Sequence, residues 1–437
     1  MLGEVMNGKG AALIYAIGMF ACWSCGDTLQ EVDPKNGWDT LPPPVAADGD
    51  WPWWRGPTLD NVAPDNQLPP TTWSDRSNLV WRVSLRGLGH SSPVRVGERI
   101  YVTAGEKAKN RAVLWLYGLE CATGKTVWQT ELYAGPIGRL HPDNAPAAAT
   151  PACDGERLFV PYQVGAGVEL AAVSLNGDLL WRKTVAPYNT IQGYSASPAL
   201  YKSVVIVPVE GPKGCCLTAF HRKIGDVVWR RAIRANNESY APALVRKLAG
   251  REQVLLIGGL STRGYDPDNG SLLWTCEGPA RTCVATPVTD LATVYATGGY
   301  PGRKLLAIRA DGHGDVTQTH VVWSGDAKAG YVPTPLLHQG LLYAVADQGL
   351  LRCYDTRDGH VVWQHDFNTP FYSSPVLANG HLYLFDRKGS GFVVPAGRSF
   401  GGVVTNTLLS GVFASPVIVD SRIYLRTLGD FYCLGSP

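Results

Sequence analysis

Charge is what this sequence has least of. Only 17% of its 437 residues are Asp, Glu, Lys or Arg, and they nearly cancel to a net charge of +2. With no basic run standing out, there is no electrostatic footprint for nucleic acid. Methionine is almost missing, at three residues. No C-x-x-C-H stretch is present, so no covalent haem is implied, and His141, His221, His320 and His360 fall on separate segments without zinc-ligand spacing. The apolar run "AALIYAIGMFACWSC" after Lys9 is too short for a membrane span, which needs ~20 residues. What remains is 45% hydrophobic, with 49 glycines and 31 prolines: a large packed core cut by many tight turns.

That N-terminal run has the length of a signal-peptide core. Cys25, followed by Gly and Asp, resembles the acylated residue of a bacterial lipoprotein, and Cys22 is a second candidate. Residues 1–25 are therefore expected to direct export to the periplasm or to anchor the chain in an envelope membrane, and to be its only membrane contact. Residues 26–50, with "LPPPVAADGD", read as a flexible polar tether. Cys276 and Cys283 flank the short "EGPART" and could bridge in an oxidising compartment. Cys215 and Cys216 lie in "KGCCLTAF" and read as small core residues of a strand.

From residue 51 onward one phrase repeats: a small residue, then proline, then an apolar alternation. The prolines are Pro93, Pro151, Pro198, Pro242, Pro287, Pro335, Pro375 and Pro416, spaced 40 to 58 residues apart. The runs that follow, such as "RIYVTA", "HLYLFD" and "RIYLRT", alternate with period two and read as strands. A second phrase interleaves with the first: a glycine four residues before Trp128, Trp181, Trp229, Trp274 and Trp363, as in "CATGKTVW". That glycine marks a hairpin turn. Trp323 ends a stretched version of the phrase, and the seventh repeat has lost its tryptophan. Four strands per period of ~40–50 residues is the signature of a β-propeller. The last repeat ends one strand short, while "NLVWRVSL" (78–85), with Trp81, stands alone ahead of the first. The predicted fold is thus all-β: an eight-bladed propeller over 51–437 with four-stranded blades, the last closed by the strand at 78–85. Proline begins each innermost strand because that strand is a sheet edge, where no N–H is needed.

The glycine-to-tryptophan phrase resembles the quinoprotein-like (PQQ-like) propeller repeat, whose docking tryptophans would here be Trp81, Trp128, Trp181, Trp229, Trp274, Trp323 and Trp363. "WPWWRGP", "GHSSPV" and "GGYPGRKLLAIRADGHGDVTQTHVVW" are similar to segments of exported bacterial propellers with no settled activity. The architecture also resembles that of the propeller lipoprotein of the outer-membrane β-barrel assembly machinery. The resemblance implies either a non-catalytic scaffold or a dehydrogenase. For the latter it asks for a vicinal disulfide, with Cys215-Cys216 the tempting match, an aromatic partner, a calcium held by Glu, Asn and Asp, and an Asp base.

No complete set of that kind is legible. Cys353 and Cys433 fall in the column filled by Ala172, Ala219 and Ala307 in other repeats and read as core fillers. Asp311, His313 and Asp315 in "ADGHGDVT" have the acidic spacing of a calcium loop but no following glutamate, and read as an exposed turn at the rim. The residues just ahead of each proline are more promising: His90, Tyr194, Glu238, Tyr240, Tyr331, Tyr372 and Phe413 would share one rim of the channel. The long connection 134–149 would overhang it, and "WPWWRGP" would strap the propeller wall. The expected function is a non-catalytic envelope module, monomeric, without cofactor or metal, whose rim recognises an envelope protein or a small ligand. The alternative is a PQQ- and calcium-dependent dehydrogenase of an alcohol or sugar.

Overall fold

The alternating runs become strands because extended backbone sends every second side chain to the same face. The computed structural model describes residues 30–34, 40–212, 214–233, 238–302, 304–326 and 330–436, and among these every regular element is a strand. Eight sheets result. Blade 1 spans 94–136, blade 2 152–187, blade 3 199–232, blade 4 244–277, blade 5 288–326, blade 6 336–366 and blade 7 376–407. Each is an antiparallel meander whose strands A to D are lettered from the hub outward. Blade 8 takes strands A to C from 417–434 and its strand D from Leu79–Ser84, which pairs with Asp430–Leu434. The eight-bladed closure read from the sequence is the fold. The segment expected to act as a leader, with Cys25 and Cys22, lies outside the described residues.

The small residue before each proline has a task beyond fitting a crowded hub. The Ser92 N–H donates to Thr150 Oγ1 at 3.0 Å, Thr150 N–H to Ser197 Oγ at 3.0 Å, Thr286 N–H to Thr334 Oγ1 at 3.0 Å, and Thr334 N–H to Ser374 Oγ at 2.9 Å. Ser374 and Ser415 continue the series at 2.9 and 3.0 Å, the last link returning to Ser92. Six of the eight blade-to-blade steps are thereby latched by a buried N–H that would otherwise go unpaired. Ala241, which has no hydroxyl, interrupts the circle at blade 4.

The tryptophans hold the outer turns. Six of them donate their indole N–H to a carbonyl in the following blade: Trp81 to Cys121, Trp128 to Leu175, Trp181 to Arg222, Trp229 to Pro267, Trp323 to Thr356 and Trp363 to Gly397, at 2.8–3.2 Å. The turn glycine belongs to the neighbour's tryptophan, not to its own. A Cβ on Gly177 would lie 2.8 Å from the Trp128 ring, and φ there is +95°, so both space and backbone demand glycine. In the blades that carry it, the tryptophan lies opposite a small strand-C residue, as Gly118 opposite Trp128, Ala172 opposite Trp181 and Cys353 opposite Trp363. Cys353 and Cys433 are buried there as expected. Trp274 differs, donating to Gln253 Oε1 of its own blade at 2.7 Å.

Four sequence expectations change. Residues 30–34 and 40–50, read as a flexible tether, are laid on the ring: Val32 bridges Arg230, Leu41 N–H donates to Ser203 Oγ, and Arg222 donates to Pro42 O. Val32, Leu41 and Pro44 are half-buried in that stretch, while Val45 stays exposed. "WPWWRGP" does not strap the outer wall but crosses the face formed by the A–B and C–D turns. There Trp51 pairs with Arg95 of blade 1, Cys153 N–H donates to Pro52 O, and buried Arg55 reaches Pro335 O of blade 6. Gly314–Asp315 is no free rim turn; it pairs in parallel with Trp274 and Thr275, adding a fifth strand to blade 4. Cys276 and Cys283 are free thiols in different core clusters, so no bridge joins them. By contrast Cys215 and Cys216 lie buried in strand C of blade 3, where the sequence placed them.

Candidate functional site

The turns entering strand A and the B–C turns share the face opposite the strap, and a cavity of about 300 Å³ opens there at the ring centre. His90, Tyr240, Tyr331, Tyr372 and Phe413 line it, five of the seven rim residues expected. Tyr194 does not: it is buried, its hydroxyl donating to Pro208 O at 3.0 Å and its ring edge-on to Tyr188. Glu238 stands behind Tyr240 and accepts that residue's hydroxyl proton. Both support the rim without facing the cavity.

The aromatic wall is a stack with a cation in it. His90 lies on Phe413 with centroids 4.5 Å apart and planes at 15°, and Tyr372 meets Phe413 edge-on at 5.3 Å. Arg387, from the B–C turn of blade 7, puts its guanidinium 4.2 Å from the Tyr372 ring and 4.9 Å from Phe413. The same guanidinium pairs with Asp143 at 2.9 Å. Asp143 comes from the long connection 134–149, which overhangs the mouth as expected and also contributes His141 and Asn144. Burial is the main cause that pushes the His90 imidazole down to about 4, with Arg426 and Arg387 pushing the same way and Asn144 opposing. His90 is therefore neutral near pH 7. Burial likewise raises the Tyr372 phenol.

The floor was not foreseen. Hydroxyls of the latch circle (Ser92, Thr150, Ser197, Thr334, Ser374 and Ser415) surround it, and Trp54 of the strap closes it. The Trp54 indole N–H donates to Thr286 Oγ1 at 2.8 Å. Thr286 is the hydroxyl that the neighbouring Ala241 does not engage, since the Ala241 N–H donates to Ser239 Oγ. Trp54 also lines a second cavity on the strap side, so its ring is a partition between the two. Trp54 thus stands across the channel between the mouth and the strap. Arg387 and Asp143 carried no periodic signal; only the length of 134–149 pointed at the loop that holds Asp143.

Pyrroloquinoline quinone, a flat tricarboxylate, is not matched by these residues. The mouth is lined by one carboxylate and no lysine or arginine. Arg387 beside it is already paired with Asp143, and Cys215 and Cys216 lie in a sheet rather than at the mouth. No group of three or more His, Cys, Asp or Glu side chains among the described residues is placed to hold a metal.

The sequence profile described as outer membrane protein assembly factor BamB, PQQ_2, matches residues 73–211, 120–320 and 265–398, which together span most of the chain. No curated protein matches. Among solved structures, BamB from Moraxella catarrhalis aligns with TM-score 0.58 at 15% identity, covering 82% of this chain and 99% of its own. Sqt1 from Saccharomyces cerevisiae gives 0.57 at 9% identity, covering 83% and 100%. The quinohemoprotein alcohol dehydrogenase of Comamonas testosteroni gives 0.51 at 13% identity, covering 90% and 82%. At such identities these likenesses speak for the fold alone.

Proposed function

The chain belongs to the PQQ_2 family, and from that premise we propose that it is a non-catalytic binding propeller of the cell envelope that holds a partner protein at its channel mouth. One observation carries this reading. The mouth is a cup with aromatic walls and a hydroxyl floor covered by Trp54, without an assembled set of acid, base and nucleophile. Such a surface suits an inserted side chain or a short peptide segment, which would stack on Tyr372, Phe413 and Tyr331 and hydrogen-bond to Asn144, Gln192 and the circle hydroxyls. Neutral His90 stacks on Phe413 without adding a charge to desolvate.

The description of the matching family names an outer membrane protein assembly factor. A comparable setting for this chain, exported and holding an envelope protein, is part of the proposal. The test places a photoreactive residue at Gln192, on the mouth but outside the aromatic stack, and identifies what is captured in envelope preparations. Adding Tyr331→Ala with Tyr372→Ala should weaken capture of the recurring partner at least tenfold while the melting temperature stays within a few degrees. Undiminished capture by the double variant would sink the rim reading. So would saturable quinone binding with turnover of an alcohol by the purified chain.

A further inference from the structure

The strap-side cavity is a different kind of place from the mouth. It measures about 380 Å³ and lies between the strap and blades 3 and 4. Its apolar walls are Pro43, Pro44, Trp53, Trp54, Tyr201 and Pro242. Two buried donors on its lining find no acceptor in the protein: the Trp53 indole N–H, from the strap, and Arg246 Nε, from strand A of blade 4. Buried donors are nearly always paired, so two orphans on separate elements around one cavity call for an acceptor from outside.

The charges agree. Among the described residues Arg246 forms no ion pair, and Arg55 next to it is another buried cation, which Arg246 helps to depress to about 10 after the larger effect of burial. Lys247 and Lys202 also line the cavity. Lys202 is paired with Asp268 at 2.8 Å, and Glu252, the one carboxylate on the lining, lies across the strand pair from Lys247. The balance at the wall is positive, and its most buried cation is unneutralised. A half-buried guanidinium left so is costly, whereas its fork matches a carboxylate with two parallel hydrogen bonds.

We propose that this cavity is a binding site for a small organic carboxylate, with the anion on Arg246 and the Trp53 N–H and a flat apolar body against Trp53, Tyr201 and the prolines. Trp54 separates it from the mouth, so the site stands independently of what the mouth binds.

The test is calorimetric titration of the whole purified chain with benzoate and, separately, with inorganic phosphate. Benzoate should saturate one site. Arg246→Gln should weaken it at least tenfold and Trp53→Phe about threefold, whereas Arg246→Lys should retain part of the affinity and Tyr372→Ala all of it. Unchanged circular dichroism and melting temperature in Arg246→Gln exclude misfolding as the cause; if that variant is unstable, the Trp53→Phe and Arg246→Lys titrations decide. Equal benzoate affinity in wild type and the Arg246 variants would overturn the proposal. Saturation by phosphate but not benzoate would overturn it too, since the apolar walls would then have no part in recognition. No saturation by either anion at millimolar concentration would do the same.

Discussion

His90 shows how one residue's surroundings set its chemistry. Stacked on Phe413 and mostly enclosed, its imidazole is held down to about 4 in the folded chain, against about 6.5 when unfolded. As pH falls below 6.5 the unfolded chain takes up the proton and the folded chain does not. Stability is thus full above about pH 7 and lost progressively down to pH 4, by up to about 3 kcal/mol. Urea denaturation at pH 4.5 and 7.5 checks this: His90→Gln should shrink the difference between the two pH values by about 2 kcal/mol, and an unchanged difference would contradict it. The register that brings His90 to the mouth was legible, because it stands three residues before Pro93, as Tyr372 and Phe413 stand before Pro375 and Pro416, while Tyr240 and Tyr331 lie two and four residues before theirs. Tyr194 stands four residues before Pro198, the same step as Tyr331 before Pro335, yet is turned into the blade, where its hydroxyl meets Pro208 O. Register gives a residue its height on the ring, not the direction of its side chain. Arg387 and Asp143 were hidden for a related reason: their meeting depends on two loops with no period to count.

Among the elements, the strap departs most from what the pattern foretold. Three tryptophans in four residues announced burial, but only the fold shows that they cross the axis. Trp73, further along the same segment, answers a question the repeats left open. Blade 7 has Val404 opposite Val393, where other blades carry the docking tryptophan. Trp73 takes up the vacancy from outside the blade, stacked on Tyr383 at 6.4 Å and on Phe385 at 5.6 Å, with its backbone N–H donated to Asn406 Oδ1. Tyr383 is the counterpart of Tyr101 and Tyr343, which face Trp128 and Trp363 in their own blades. A defect in one repeat is thus repaired by a residue some three hundred positions away. Trp73→Ala should cost about 3–5 kcal/mol, as a large core truncation does. Reintroducing the missing ring as Val404→Trp should recover part of that loss in the double variant, measured by thermal or urea denaturation. Failure of Val404→Trp to help the Trp73→Ala background more than the wild type would show that the two rings do not share one space.

For the whole molecule, count and closure were readable because both follow from arithmetic on the repeats: seven complete periods, one short, and one spare strand. The hydroxyl circle, the tryptophan latches and the strand exchange at blade 8 leave no blade free to melt alone. Trp81→Ala, at the seam between blades 8 and 1, should therefore lower a single melting transition by about 3–5 kcal/mol of stability and should not split it in two. Differential scanning calorimetry decides; a separate low-temperature peak would mean that the seam is an independent unit. Closure by the first strand also sets an order in time. Leu79–Ser84 has no partner until Asp430–Leu434 exists, and about 350 residues must be made in between. At ~5–20 residues per second that is a wait of about 20–70 seconds. During it the strap and its tryptophans have no completed ring to cross, so the earliest-made part of the chain is among the last to find its place.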